Sequence, residues 1–338
     1  MATIRDMMPG FELVQPASLD EALEQLDRHG SDAWVLAGGQ DSFDWFKERV
    51  MRPEVVVDLG GIGELTGIGT AEGGLEIGAM VTLTEVARSG PVQERFGVLA
   101  EAAGEVASPQ IRNQGTIGGN VCQDTRCWYY RSGWPCYRAG GNICYADTPT
   151  AMNREHCILG ADRCVAVSPS DVAPALLVLD AEMVIRGGDG ERIVPARRFW
   201  IGPGTDITRT TVLGPGEILT KIRIPDRFAG ARFYFEKVAD RKVWDFPLVN
   251  VASAIVEEGG TITRARVAAG GVAPRPLRLV EVERAITGMT LSEETARQAG
   301  EIAVRDAEPL RQNDYKVAMM RNLVKRSVLG DREEARDA

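Results

Sequence analysis

All six cysteines of this 338-residue chain lie in one segment, between positions 122 and 164. The segment is otherwise rich in glycine, proline and aromatic residues, a composition that does not form a regular core by itself. Such a segment needs crosslinks, either disulfides or bonds to a metal. Disulfides are typical of secreted proteins, and the first residues, Met1–Asp6, contain no apolar signal segment. We therefore expect a metal site.

The spacing of the cysteines narrows the choice of metal. No Cys-x-x-Cys pair occurs, so the spacing of a zinc ribbon is absent. The two histidines, His29 and His156, show no ligand pattern, and we interpret both as structural residues. Soft thiolates with few histidines favour an iron–sulfur cluster, whose cuboidal form needs four cysteines. Zinc and a group of buried, unpaired thiols remain the alternatives.

A first glycine-rich turn, Ala37–Phe43, follows a predicted strand at Ala33–Leu36. A helix at 43–50 and a strand at 55–59 complete a small β-α-β unit. Consecutive glycines allow backbone N–H groups to converge on an anion. A single Gly-Gly pair is more often a tight strand-to-helix turn without a ligand. The Gly-x-Gly-x-x-Gly fingerprint of dinucleotide-binding Rossmann domains is absent.

A second glycine-rich turn, Gly115–Asn120, runs directly into the cysteine segment. Thr116 offers a hydroxyl, and Gly118 and Gly119 are expected to offer unhindered N–H groups. The Asn120 side chain is expected to hold the turn in place. Two such turns suit a pyrophosphate that is gripped from two sides, so the sequence favours a dinucleotide ligand beside a metal centre.

Length and charge exclude several other classes of protein. A chain of 338 residues is long enough for two domains. The formal charge of -9 argues against nonspecific nucleic-acid binding. No run of about 18 apolar residues occurs, so no membrane span is expected. With no signal segment either, we predict a cytoplasmic location.

The remaining pattern predicts an α+β fold with a linker at 226–230. Ser18 to Glu21 is typical of a capping box at the start of a helix, and Gly187–Arg192 of a β-hairpin turn. Strands are predicted at 75–79, 182–186, 218–224, 232–238, 248–257 and 262–270. Helices are predicted at 82–87, 98–106, 172–180, 277–287, 292–307 and 316–329. The charged tail, Asp331–Ala338, is expected to fray.

Several motifs together resemble a known family. They are Ala37-Gly38-Gly39, Thr116-Ile117-Gly118-Gly119-Asn120, Lys237 after Phe-Glu, Val249-Asn250-Val251-Ala252 and Tyr315-Lys316-Val317. This set is similar to the FAD-binding medium subunit of the molybdenum hydroxylases, the xanthine dehydrogenase family, over essentially the whole chain. The resemblance implies a two-lobed FAD-binding domain of the PCMH/VAO type at 1–226, with lobes at about 1–59 and 60–226. A C-terminal α+β domain like that of carbon monoxide dehydrogenase flavoproteins would occupy 230–335.

The cysteine segment, 122–164, resembles an insertion in one branch of that family. The branch includes the 4-hydroxybenzoyl-CoA reductase beta subunit and aldehyde oxidoreductase FAD subunits, and it carries an extra [4Fe–4S] cluster. By this resemblance the cluster ligands are Cys127, Cys136, Cys144 and Cys164. Cys122 and Cys157 match no ligand of the branch and are interpreted as ordinary thiols.

The same resemblance assigns residues to FAD. Asp171 would bind the ribose or adenosine side, and Leu219 and Lys237 would lie near the flavin ring. Gln40 stands where the family usually has threonine or asparagine, which removes one expected side-chain hydrogen bond. The residues assigned to FAD are Leu36, Ala37, Gly38, Gly39, Gln40, Asp41, Ser42, Phe43, Ser108, Thr116, Gly118, Gly119, Asn120, Asp171, Leu219 and Lys237.

The function that the resemblance implies is electron transfer within a heterotrimer. Substrate chemistry would occur in a molybdopterin-binding large subunit, so no catalytic residue is expected in this chain. Electrons would pass between [2Fe–2S] clusters of a small subunit, FAD in this chain and an external donor or acceptor. The alternatives are a stand-alone flavin oxidoreductase and a zinc-stabilised binding module without redox activity.

Overall fold

The computed structural model describes residues 7–330. The predicted frayed tail at 331–338 and the start of the chain at 1–6 lie outside the described residues. Within 7–330 the strands form three sheets, and two of these belong to the part of the chain that precedes residue 226.

The first lobe is a small parallel sheet with helices on both faces. Its strand order is β1-β3-β2. All of Val55, Val56 and Val57 on the central strand are buried, as expected for a parallel strand covered on both sides. One face packs on α1, and the other faces Trp45 and Phe46. The elements are β1 (Glu12–Val14), α1 (Leu19–His29), β2 (Ala33–Leu36), α2 (Ser42–Lys47) and β3 (Val55–Asp58).

Helix α1 begins with one half of the predicted capping box. The Ser18 hydroxyl accepts a hydrogen bond from the Glu21 amide at 3.2 Å, as predicted. The Glu21 carboxylate accepts from the amide of Ala17 at 2.8 Å, and not from that of Ser18. The reciprocal bond is therefore displaced by one residue toward the N-terminus.

The second lobe is an antiparallel sheet covered by helices, with strand order β4-β5-β8-β6-β7. The predicted hairpin is confirmed, because Gly187 pairs with Gly190 across a two-residue turn. The elements are β4 (Ile68–Ala71), β5 (Gly74–Gly78), α3 (Leu83–Arg88), α4 (Gly90–Arg95), α5 (Gly97–Gly104), α6 (Pro109–Arg112), α7 (Ile117–Val121), α8 (Trp128–Arg131), α9 (Val172–Val178), β6 (Glu182–Gly187), β7 (Gly190–Pro195), α10 (Ala196–Phe199) and β8 (Ile218–Pro225).

The C-terminal part is an antiparallel sheet with three helices on one side, in strand order β12-β11-β10-β9. The predicted helix at 277–287 begins only at Val280, because Leu277 and Arg278 pair with β11. The Ser292 hydroxyl caps α12 by accepting from the Thr295 amide at 3.2 Å. The elements are β9 (Arg232–Val238), β10 (Val249–Glu258), β11 (Thr261–Gly270), β12 (Leu277–Arg278), α11 (Val280–Ile286), α12 (Glu293–Val304) and α13 (Tyr315–Leu329).

One continuous hydrophobic core joins the second lobe to the C-terminal sheet. Phe235, Ala252 and Ala268 of that sheet pack in the same core as the buried residues of α5 and α9. The second lobe and the C-terminal sheet are therefore packed together through a shared core. Among the helices of residues 7–330, none is long and apolar enough to cross a membrane.

The cysteine segment has a small core of its own, contrary to the sequence-based expectation. Tyr129 stacks on Trp128 at a centroid distance of 3.9 Å, and Trp134 meets the Tyr145 ring edge-on at 4.8 Å. A second contact, through Tyr130, packs the segment against Trp45 of the first lobe. Aromatic packing thus supplies part of the order that we assigned to crosslinks alone.

Candidate functional site

The first glycine turn separates two cavities that together form a cleft between the lobes. The cavities measure about 230 Å³ and about 340 Å³. Both are lined by Ala37, Gly38, Gly39 and Thr116. The turn follows the carboxyl end of the parallel strand β2, the end of an open parallel sheet where ligands usually bind.

The first turn requires glycine and presents free backbone donors. A Cβ atom on Gly38 would overlap the carbonyl oxygen of Gln114 and lie 2.9 Å from the Cα of Gly115. Gly39 has a φ of +73°, a conformation that favours glycine. Within residues 7–330, the N–H groups of 38–41 donate no hydrogen bond. Four consecutive amides beside a cavity are suited to an anionic ligand.

The second turn differs from the prediction in where its amides point. The Gly118 N–H donates to the carbonyl oxygen of Ala79 at 2.9 Å, and the Gly119 N–H donates to the Thr116 hydroxyl at 3.0 Å. The prediction of unhindered N–H groups at Gly118 and Gly119 is therefore wrong. Thr116 is the N-cap of α7, and capping consumes donors that a glycine pattern alone leaves free.

The glycines of the second turn provide close packing instead. A Cβ on Gly118 would lie 2.7 Å from the Ala79 carbonyl oxygen. One on Gly119 would lie 3.1 Å from the Thr116 hydroxyl and 3.7 Å from the Ala37 Cβ. The second turn thus allows the walls of the cleft to approach each other, while the first turn supplies the free donors.

Asn120 holds the second turn in place, as predicted. Its Oδ1 atom accepts from the Ser170 hydroxyl at 2.6 Å, and its Nδ2 group donates to Gln123 at 3.3 Å. The Ser170 hydroxyl in turn accepts from the Ala173 amide at 3.2 Å. These bonds tie the turn to α9 and to the neighbouring Asp171.

A buried ion pair crosses from the second lobe to the C-terminal sheet. The Lys237 ammonium donates to Asp171 Oδ2 at 2.7 Å and to the carbonyl oxygens of Glu105 and Asp245 at 2.9 and 2.8 Å. Asn250 donates to Asp171 Oδ1 at 3.0 Å. Burial raises the pKa of Asp171 to about 6, although Lys237 acts in the opposite direction.

The contact between Asp171 and Lys237 bears on their predicted roles. Asp171 lines the cavity of about 230 Å³. The resemblance places Asp171 at the adenosine side of FAD and Lys237 at the flavin ring. Because the two side chains touch, they can serve only one part of an extended dinucleotide.

Replacement of Asp171 by alanine is expected to lower the free energy of unfolding by about 3 kcal/mol, since it leaves a buried ammonium without its counter-ion. Both side chains of the pair are nearly inaccessible to solvent. Urea denaturation of the FAD-free chain measures the change. Glu281→Gln, which removes the exposed Glu281–Arg284 pair, is the control and should change the midpoint little. An equal effect of both substitutions would contradict the importance of the buried pair.

A third cavity lies inside the cysteine segment. It is small, about 10 Å³, and is lined by the four predicted cluster ligands, Cys127, Cys136, Cys144 and Cys164. Burial raises the pKa of Cys127 to about 12 and that of Cys164 to about 11. Such thiols stay protonated until a bound metal makes them thiolates.

The other two cysteines lie elsewhere. Cys122 lines the cavity of about 230 Å³, and Cys157 is buried in the small core of the segment. Among residues 7–330, no three side chains of His, Cys, Asp or Glu are close enough together to hold a single metal ion. The four predicted ligands line one shared cavity.

Ion pairs connect the cysteine segment to the cleft. Arg126 and Arg131 donate to Asp41 of the first glycine turn at 2.6 and 2.7 Å. Arg138 donates to Asp124 at 2.6 Å. Arg138 lines the cysteine cavity, whereas Asp124 lines the cavity of about 230 Å³. One ion pair therefore spans the wall between the two sites.

Comparison with known proteins identifies the family of this chain. Residues 9–227 match the FAD binding domain in molybdopterin dehydrogenase, and residues 234–330 match the CO dehydrogenase flavoprotein C-terminal domain. The chain belongs to the family of FAD-binding medium subunits of molybdenum hydroxylases. It is an FAD-containing subunit of the oxidoreductase type, and the predicted fold class is confirmed.

Relatives of this medium subunit match along nearly its full length. The carbon monoxide dehydrogenase medium chain of Hydrogenophaga pseudoflava is 32% identical, over 95% of this chain and 96% of that protein. The aldehyde oxidoreductase FAD-binding subunit PaoB of Escherichia coli K12 is 33% identical, over 90% and 92%. A solved structure of the Hydrogenophaga carbon monoxide dehydrogenase superposes with a TM-score of 0.76 at 31% identity, over 95% of this chain and 97% of that chain.

Four residues that the family resemblance assigns to FAD line neither cavity: Ser108, Gly118, Leu219 and Lys237. The Gly118 amide donates to Ala79, and the Lys237 ammonium donates to Asp171. The Leu219 side chain lies in the hydrophobic core of the second lobe, 5% exposed. The Ser108 hydroxyl accepts from the Ile111 amide at 3.4 Å and caps α6. A contact of Leu219 or Ser108 with FAD would therefore have to come from the backbone of that residue or from a structural change.

The loop between β9 and β10 is a part of this medium subunit's cleft that the sequence analysis missed. Trp244, Asp245 and Phe246 line the cavity of about 230 Å³. The Trp244 amide donates to the carbonyl oxygen of Ala107 at 2.6 Å, and both residues have positive φ angles, +54° and +43°. Trp244 and Phe246 are exposed aromatic residues in a charged loop, which is the signal that could have identified them.

Proposed function

We propose that this medium subunit conducts electrons between [2Fe–2S] clusters of a small subunit, its own FAD and an external redox partner. A further [4Fe–4S] cluster would be held by Cys127, Cys136, Cys144 and Cys164. The proposed [4Fe–4S] cluster is supported by the cavity that these four side chains line together. A cuboidal cluster has one thiolate on each iron, so its ligands lie further apart than those of a single ion.

The lining of the cysteine cavity suits a group with negative charge. The Arg138 side chain is 6% exposed and lines the cavity. Its Nε atom is buried and has no hydrogen-bond partner within residues 7–330. A buried donor without an acceptor costs about 1–3 kcal/mol. The thiolates and sulfides of a cluster would supply the missing acceptor and would be partly neutralised by the guanidinium.

The cleft suits FAD for similar reasons. The free amides of 38–41 would bind the pyrophosphate, which needs converging N–H donors. Arg126 and Arg131 fix Asp41 and so orient the first turn. Trp244 and Phe246 would limit the access of water to the ligand. When bound, FAD supplies the exchange between two-electron and one-electron carriers.

The names of the relatives support the proposal of partner subunits. Those relatives are named medium chains and FAD-binding subunits of dehydrogenases and oxidoreductases. We propose that substrate chemistry takes place in a molybdopterin-binding large subunit and that this chain contributes no catalytic acid, base or nucleophile. A stand-alone flavin oxidoreductase would need its own substrate-binding acid or base, which the cleft residues identified above do not suggest.

The visible spectrum and metal content of the anaerobically purified chain test this proposal. We expect flavin absorption at about 450 nm on a broad iron–sulfur background, with about four iron atoms per chain. A yellow protein without iron would contradict the proposed cluster and would support FAD binding. A colourless protein with stoichiometric zinc would instead establish the zinc-stabilised binding module.

A further inference from the structure

His156 lies directly against one of the proposed cluster ligands. Its Nε2 atom is 3.4 Å from the sulfur of Cys127, and the side chain is 4% exposed. Its Nδ1 atom is buried and has no hydrogen-bond partner within residues 7–330. A proton on Nδ1 would leave a buried donor unpaired, so the favoured tautomer carries its proton on Nε2, facing the sulfur.

The C-terminal part of the chain fixes the position of His156. The Asn313 side chain donates to the carbonyl oxygens of His156 and Cys157, both at 3.0 Å. The Lys316 ammonium donates to the carbonyl oxygens of Glu155 and Gly271 at 2.9 and 2.8 Å. Asn313 and Lys316 are fully buried. The backbone that carries the imidazole is therefore held by buried hydrogen bonds from the segment that begins α13.

We propose that His156 is a positioning residue that raises the reduction potential of the [4Fe–4S] cluster through an N–H···S hydrogen bond to Cys127. The proposal rests on the cluster assigned under the proposed function. One-electron reduction adds negative charge to the cluster and its thiolates. A hydrogen bond to a ligand sulfur stabilises that charge, so it favours the reduced state.

A purely structural histidine explains the contacts less well. An aromatic side chain of similar size would fill the same space beside Tyr129, whose ring centroid is 6.5 Å from that of the imidazole. That side chain would also avoid the unfavourable burial of an Nδ1 atom without a hydrogen-bond partner. The Nε2 contact with sulfur is the one polar interaction of the side chain within the described residues, and it is the feature that an aromatic replacement would lose.

The test is a redox titration of the anaerobic full chain monitored by electron paramagnetic resonance. His156→Leu removes the donor at similar volume, and His156→Gln keeps an N–H group. We expect the leucine variant to shift the equilibrium toward oxidised cluster about tenfold, which is about 59 mV for one electron. The glutamine variant should recover most of the shift. The FAD potential in the same titration and the His29→Gln control should not change.

An unchanged cluster potential in His156→Leu, with full iron content, would overturn the inference. Absence of iron from the unaltered chain would overturn the proposed cluster itself, so the two failures are distinguishable. If the leucine variant loses iron, its cluster potential cannot be measured. A second measurement therefore leaves His156 in place. Because the chain has two histidines, ¹⁵N-histidine in the His29→Gln background labels His156 alone. Pulsed resonance should show ¹⁵N coupled to the reduced cluster, and absence of that coupling would overturn the inference.

Discussion

Gly38→Ala is expected to remove most of the FAD from the chain while its iron remains. The added Cβ would overlap the carbonyl oxygen of Gln114, where the two glycine turns touch. Relief of that overlap must move the turns apart and misplace the free amides of 38–41. We expect the Kd for FAD to rise at least about tenfold, which corresponds to about 1.4 kcal/mol of binding free energy. Flavin absorbance and iron analysis of the same sample measure the FAD content and the iron content.

Two other glycines provide the comparison. Gly63 has no atom within 4 Å of an added Cβ, so Gly63→Ala should keep full flavin occupancy. Gly119→Ala should have an intermediate effect, because its Cβ would meet the Thr116 hydroxyl at 3.1 Å. Stoichiometric FAD in Gly38→Ala would contradict the assignment of the pyrophosphate to this turn. Loss of both FAD and iron would indicate a wider loss of structure.

Cys127→Ser and Cys164→Ser are each expected to lower the iron content from about four atoms per chain to below about one. Each removes one of the four thiols that line the cysteine cavity, and serine is a poor ligand for iron in such a cluster. FAD should remain, because neither residue lines the cavities of the cleft. Iron and flavin content of anaerobically purified variants provide the measurement.

Cys157→Ala is the matched control for this experiment. Cys157 is buried in the same segment, and burial raises its pKa to about 12, as for Cys127, yet it does not line the cysteine cavity. Cys122→Ser provides a second control outside that cavity. Equal iron loss in the controls would show that the wrong four cysteines were chosen.

Local patterns in the sequence predicted much of the fold. The alternation at Leu75–Ala79 and the glycine hairpin at 187–192 depend on neighbouring residues, and the structure agrees with both. The glycine turn at 37–43 was found for the same reason. The prediction for 277–287 was wrong at its start, because pairing with β11 outweighs the helical pattern of Leu277 and Arg278.

The details of the site depend on contacts between distant parts of the chain. Gly118 and Gly119 do not present the free N–H groups that were expected, because these groups donate to the Ala79 carbonyl oxygen and the Thr116 hydroxyl. The Asp171–Lys237 pair joins residues 66 positions apart. The backbone at His156, whose side chain lies beside Cys127, is bonded to Asn313 and Lys316 from the distant end of the chain. No spacing in the sequence indicates such pairings.

An anaerobic reductive titration of the full chain tests the central claim most directly. A chain that holds both FAD and one [4Fe–4S] cluster should take up about three electrons, two for the flavin and one for the cluster. Bleaching of the flavin bands should be accompanied by the paramagnetic signal of a reduced cluster. Uptake of about two electrons without that signal would show a flavoprotein with no cluster and would contradict the account.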